Sequence, residues 1–119
     1  MSTVNKAILI GRLGKNAVLN TTNTGKQVCN FSLATTEKWK DANGVQKEAV
    51  QWHQCVLWGE LGVKMTPLLT VGRLVTVEGS IQTRKYEKDN TVRYSTEIIA
   101  EGIQLLDSKP GTTKEVANE

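Results

Sequence analysis

His53 and Cys55 stand two residues apart in VQWHQCVLWGEL (50–61), and they are the chain's only histidine and one of its two cysteines. On an extended strand, residues i and i+2 share a face, so the two side chains would lie together. A cysteine nucleophile needs its pKa lowered by a helix N-terminus or a nearby cation, and a strand interior supplies neither. A metal centre needs more ligands, and only Cys29 is left to complete the set. No carboxylate pair, phosphate-binding loop or triad stands elsewhere. The sequence therefore points to no enzyme, no metal and no cofactor. His53 reads as a packing or subunit-interface residue, and the two cysteines as small buried hydrophobes.

The same alternation sends Val50, Trp52, Gln54, Val56 and Trp58 to the opposite face. Trp52 and Trp58 would be about 20 Å apart on a strand rising ~3.3 Å per residue, too far to fill one core position. Trp39 stands between Lys38 and Lys40, and Tyr86 follows Arg84 and Lys85. An aromatic ring at a strand tip with cations beside it suits a nucleic-acid strand. The ring covers the face of an unstacked base, at about 1–3 kcal/mol per base, while the cations follow the phosphates. The plainer alternative is that some of these rings only cap a barrel. Phe31 and Tyr94, each among apolar neighbours, read as core.

The elements that must hold these residues are strands. VNKAILIGRLG (4–14) is rich in Ile and Leu; residues 20–27 form a turn cluster; 28–39 alternates with Cys29, Phe31 and Leu33 on one face. Asn43-Gly44 is a hairpin signal leading into the strand through residue 58. Residues 59–70 show helical spacing at Leu61, Met65 and Leu68, which Pro67 limits to a turn or two. Two long strands, 74–86 and 91–106, flank the hairpin turn EKDN. The expected fold is all-β: a small barrel of five strands with one short helix after the third strand and long β-hairpins. Spacing alone leaves an OB barrel and an SH3-like barrel both open.

The 119 residues fit one domain, 1–106, followed by a tail, 107–119, without apolar anchors and expected to be disordered. Net charge is +3. Up to Leu106 there are 13 Lys/Arg against 9 Asp/Glu, so the basic excess belongs to the folded part, a mild lean toward polyanions. No apolar run approaches the roughly 20 residues of a membrane span and no signal-peptide pattern opens the chain, so a cytoplasmic protein is expected.

Five blocks in order, VNKAILIGRLGK, NFSLATTEKWKD, VQWHQCVLWGEL, VTVEGSIQTRKY and RYSTEIIAEGIQLL, resemble the bacterial single-stranded DNA-binding protein family from about Val4 to Leu106. The resemblance implies an OB fold and non-catalytic, largely sequence-independent binding of single-stranded DNA in replication, recombination and repair. It also implies a homo-oligomer, usually a tetramer. Trp39, Trp52, Trp58 and Tyr86 match its base-stacking positions. Lys6, Arg84, Lys85 and Arg93 match its backbone-contacting positions; Arg12, Lys15, Lys38 and Lys40 complete the expected phosphate-contacting set. His53 matches a position beside its subunit contacts. Gln54, Glu60, Thr70 and Val71 stand where family members often carry Lys or Arg, so weaker and less salt-sensitive binding is expected. The chain stops at KEVANE, without the acidic tip ending in apolar residues through which relatives recruit other proteins, so that route is doubtful here. An RNA-binding barrel of the cold-shock type would carry a Gly-Phe-Gly-Phe-like aromatic run, and none is present.

Overall fold

The structure is a computed structural model, and it describes residues 2–107. Six strands and one short helix follow in the order β1 (Ala7–Leu13), β2 (Val18–Thr21), β3 (Gln27–Lys40), β4 (Gln46–Trp58), α1 (Gly59–Met65), β5 (Leu74–Lys88) and β6 (Thr91–Leu105). The sheet runs β1-β5-β6-β4-β3-β2, and β1 also pairs with β3. That second pairing closes five strands into a barrel and leaves β2 as a short flap on β3. The five expected strands, the OB-type barrel and the helix after its third strand are all present. The flap was not expected: Val18–Thr21 pairs with Gln27–Asn30 around a turn in the Asn/Thr/Gly cluster.

Closure depends on two rungs. Arg12 faces Ala34 and Leu13 faces Leu33, whereas β1 pairs with β5 from Ala7 to Arg12. The backbones approach so closely at this seam that a Cβ on Gly11 would stand 2.2 Å from the Ala34 carbonyl oxygen, so only glycine fits. Inside, Cys29, Phe31 and Leu33 of β3 meet Cys55 and Leu57 of β4, with Val75, Val77, Ile98 and Leu69 closing the core. Each fully buried aliphatic side chain contributes about 1.5–3 kcal/mol. Both cysteines are buried and unpaired, and burial pushes the Cys55 thiol up to about 12. Burial also raises the Cys29 thiol, against a smaller opposing effect of Thr66.

The hairpins follow from their turns. In the β3–β4 connection the Asp41 carboxylate accepts the N–H groups of Asn43 and Val45, each at 2.9 Å, while Gly44 takes φ +80°. Asp89 and Asn90 both hold positive φ in the tight β5–β6 turn, a conformation their short polar side chains tolerate. Helix α1 passes into a short 3-10 turn at Thr66–Leu68, with Pro67 in its first positions. Arg73, buried at the start of β5, binds Asp107 at 2.9 Å, and Asp107 also accepts the Leu74 N–H. This contact ties the exit of β6 to the entry of β5. The expected tail otherwise lies outside the described residues.

Tyr94 corrects the core reading: it is 67% exposed. Alternation does place it on the face that lines the barrel further along β6, but the β5–β6 hairpin extends past the barrel, where that face has nothing to pack against.

Candidate nucleic-acid interface

The register of the strands assembles one outward face. The β3–β4 ladder sets Val28 opposite Trp58, Asn30 opposite Val56, Ser32 opposite Gln54 and Ala34 opposite Trp52. The parallel β4–β6 ladder carries this face from Gln54 to Glu97. The β5–β6 ladder extends it through Gln82, then Arg84 opposite Ser95 and Tyr86 opposite Arg93. Arg12 faces Ala34, so it joins the row that ends at Trp52. Lys15 lines a shallow depression with Ser32, Asn30 and Gln54 between the two tryptophans. Arg12, Lys15, Trp52, Trp58, Arg84, Tyr86 and Arg93 thus share a single surface.

All four expected stacking rings are accessible: Trp39 is 47% exposed, Trp52 56%, Trp58 44% and Tyr86 37%. Rings serving only as core would be covered. Three of the expected residues, Trp39, Lys85 and Lys6, stand apart from the shared face, however. Trp39 pairs with Lys47, and Lys85 with Tyr94, on the reverse side of their hairpins, while Lys38 and Lys40 point to the Trp52 side. A strand of nucleic acid touching both sets must pass over the edge of a projecting hairpin. Lys6 lies on another wall, bound to Glu78 of β5 at 2.9 Å.

The cations divide by what they already hold. Lys6 pairs with Glu78, Lys38 with Glu48 at 3.8 Å and Arg84 with Glu97 at 3.1 Å. Arg12 donates to the Gly72 carbonyl at 2.9 Å and faces Asp107 at 3.7 Å. Lys15, Lys40, Lys85 and Arg93 have no carboxylate within salt-bridge distance among the described residues. These four are free to meet phosphates without breaking a pair.

His53 is half-buried, and its Nε2 lies 2.8 Å from the Thr35 hydroxyl. No cluster of three metal-ligating side chains occurs among the described residues. Three contributors escaped the reading of the sequence. Gly14 carries the Trp52 indole: a Cβ there would come within 2.4 Å of the ring. Asn5 clamps the N-terminus to β5, donating to the Ile81 carbonyl at 2.8 Å and accepting its N–H at 2.9 Å. Glu97 sits on the outward face itself. Counting alternate residues back from Glu97 to Arg93 would have exposed the last of these; the other two depend on tertiary approach and leave no local signal.

An OB-type barrel with exposed aromatic rings and cations on one face has the architecture of a nucleic-acid-binding protein. The chain matches the Single-strand binding protein family over residues 4–106 and belongs to it, a family of non-enzymatic binding proteins. It is 40% identical over 108 residues to single-stranded DNA-binding protein 1 of Chlorobaculum tepidum, covering 89% of this chain and 67% of that protein. It is 41% identical over 105 residues to the single-stranded DNA-binding protein of Neisseria meningitidis, covering 87% of this chain and 60% of the relative. The chain therefore spans roughly two thirds of these relatives' length. Among solved structures, the Plasmodium falciparum SSB in complex with ssDNA superimposes with a TM-score of 0.81 at 35% identity, over 90% of this chain and 98% of that one. A deletion mutant of the Thermus aquaticus single-stranded DNA-binding protein gives 0.77 at 28% identity, over 89% of this chain and 52% of that one.

Proposed function

We propose that this protein binds and protects single-stranded DNA without regard to sequence, in replication, recombination and repair. The observation that carries the reading is the shared outward face, where Trp52, Trp58 and Tyr86 stand exposed beside Arg12, Lys15, Arg84 and Arg93. Bases stack on the rings and phosphates follow the cations. The similarity to a chain solved with single-stranded DNA supports the same reading. Titration with oligo-dT should quench tryptophan fluorescence, more weakly as salt rises, and duplex DNA should compete poorly. Absence of quenching at low salt refutes the proposal.

The protein acts as a homo-oligomer, a tetramer by family resemblance. Among the described residues, β1 from Ala7 to Gly11 has a ladder partner on one side only, β5, while Ile8 and Ile10 are more than half exposed. An open strand edge with apolar side chains is a pairing surface for another chain. His53 is assigned to the subunit contacts by the family resemblance. Sedimentation at micromolar concentration should show the oligomer, and a monomer would refute it.

A further inference from the structure

Glu97 places a carboxylate in the middle of a face assigned to a polyanion, where its charge should repel. It lines a depression of about 310 Å³ with Val28, Asn30, Val56, Trp58 and Arg84. Its side chain is only 16% exposed, so most of the carboxylate is turned away from solvent. Arg84 donates to it through Nε, at 3.1 Å to Oε2. Nε is one of five N–H donors on a guanidinium, and the other four sit on the terminal nitrogens. Those nitrogens have no hydrogen-bond partner among the described residues, and the guanidinium carbon lies 5.6 Å from the centre of the Tyr86 ring.

We propose that Glu97 is a positioning residue for DNA binding. By holding Arg84 through Nε, it fixes the guanidinium beside Tyr86 and the Trp58 depression, with the terminal N–H groups turned toward a backbone phosphate. A long side chain that is already ordered loses less freedom when DNA arrives. The carboxylate therefore strengthens the binding of an anion. This inference rests on the single-stranded DNA reading above and adds one residue to it. The opposing possibility is that Glu97 competes with phosphate for Arg84 and weakens binding.

The two differ in sign. Oligo-dT titrations over a salt series would compare the wild-type protein with Glu97→Ala, Glu97→Gln, Arg84→Ala and the Glu97→Ala/Arg84→Ala double variant. Positioning predicts that Glu97→Ala weakens binding on the order of two- to tenfold, the freedom of one long side chain. Because the guanidinium stays charged and still reaches the phosphate, the log–log salt dependence should change by less than the ~0.7 of one lost contact on a single strand, which Arg84→Ala should show. Gln keeps an acceptor for Nε and should restore most of the affinity, and in the Arg84→Ala background Glu97→Ala should change nothing. Tighter binding by both Glu97 variants, an undiminished loss in the Arg84→Ala background, or no effect at all overturns the inference while the DNA reading stands. A wild-type protein that oligo-dT fails to quench overturns both.

Discussion

Gly14 shows how one missing methyl group can seat an exposed ring on the proposed binding surface. The Trp52 indole rests where the Gly14 Cβ would be, so the ring is held by backbone contact and still presents its other side. Gly14→Ala should push the indole out of place and lower oligo-dT affinity toward that of Trp52→Ala, roughly 5- to 150-fold for one lost stacking partner. The effect on thermal stability should be small; a large fall in melting temperature with unchanged affinity would contradict this. Charge divides the cations in the same local way. Lys15, Lys40, Lys85 and Arg93 hold no carboxylate among the described residues, so their substitution by Ala should flatten the salt dependence more than Lys6→Ala or Lys38→Ala does. A salt series on the six variants decides the matter. The thiols offer a control: with Cys55 buried and its pKa pushed up to about 12, neither cysteine should react with a thiol reagent until the protein unfolds.

At the level of elements, turns and strand ends set what the rings can reach. Asp41 receives two N–H groups and holds the turn of the hairpin that carries Trp39, Lys38 and Lys40. Asp41→Ala should cost about 1 kcal/mol per lost hydrogen bond in urea unfolding, while Asp41→Asn keeps the acceptor and most of the stability. The Arg73–Asp107 contact predicts a pH dependence. Burial pushes the Asp107 carboxyl up, but the Leu74 N–H, the hydrogen bond and charge of Arg73, and Arg12 beyond them outweigh it and hold the group below its ordinary 3.8. A depressed carboxylate contributes stability that is present above its unfolded value and is lost as pH falls through its folded value. The urea midpoint should therefore decline below about pH 4 in part through this group, and Asp107→Asn should be less stable at neutral pH with a shallower decline in acid.

Alternation, Asn43-Gly44, the EKDN turn and the break at Pro67 made the strands, both long hairpins and the helix legible in the sequence, because each is a local signal. Exposure of the four rings was legible for the same reason, since Trp39 and Tyr86 sit among cations. Tyr94 misled because apolar neighbours along a strand do not report whether the barrel still extends behind the side chain. The separation of Trp39 and Lys85 from the shared face, and the seat of Trp52 on Gly14, arise from register and tertiary approach, which a single strand does not encode.

For the whole molecule, the barrel explains why one face can be devoted to binding. The core on one side of β3 and β4 is satisfied by Leu33, Leu57 and their neighbours, so the alternate residues are free to face outward. Leu33→Ala, at a fully buried site, should destabilise the fold by about 2–5 kcal/mol and lower DNA binding only through unfolding. The central claim is that single-stranded DNA stacks on the outward indoles. Its most direct test is to leave one tryptophan at a time, replacing the other two by Phe to retain stacking, and to titrate each variant with oligo-dT at low salt. The account predicts strong quenching of both Trp52 and Trp58 at the same saturation point. If oligo-dT saturates the protein while both indoles stay unquenched, the DNA runs elsewhere and the account is wrong.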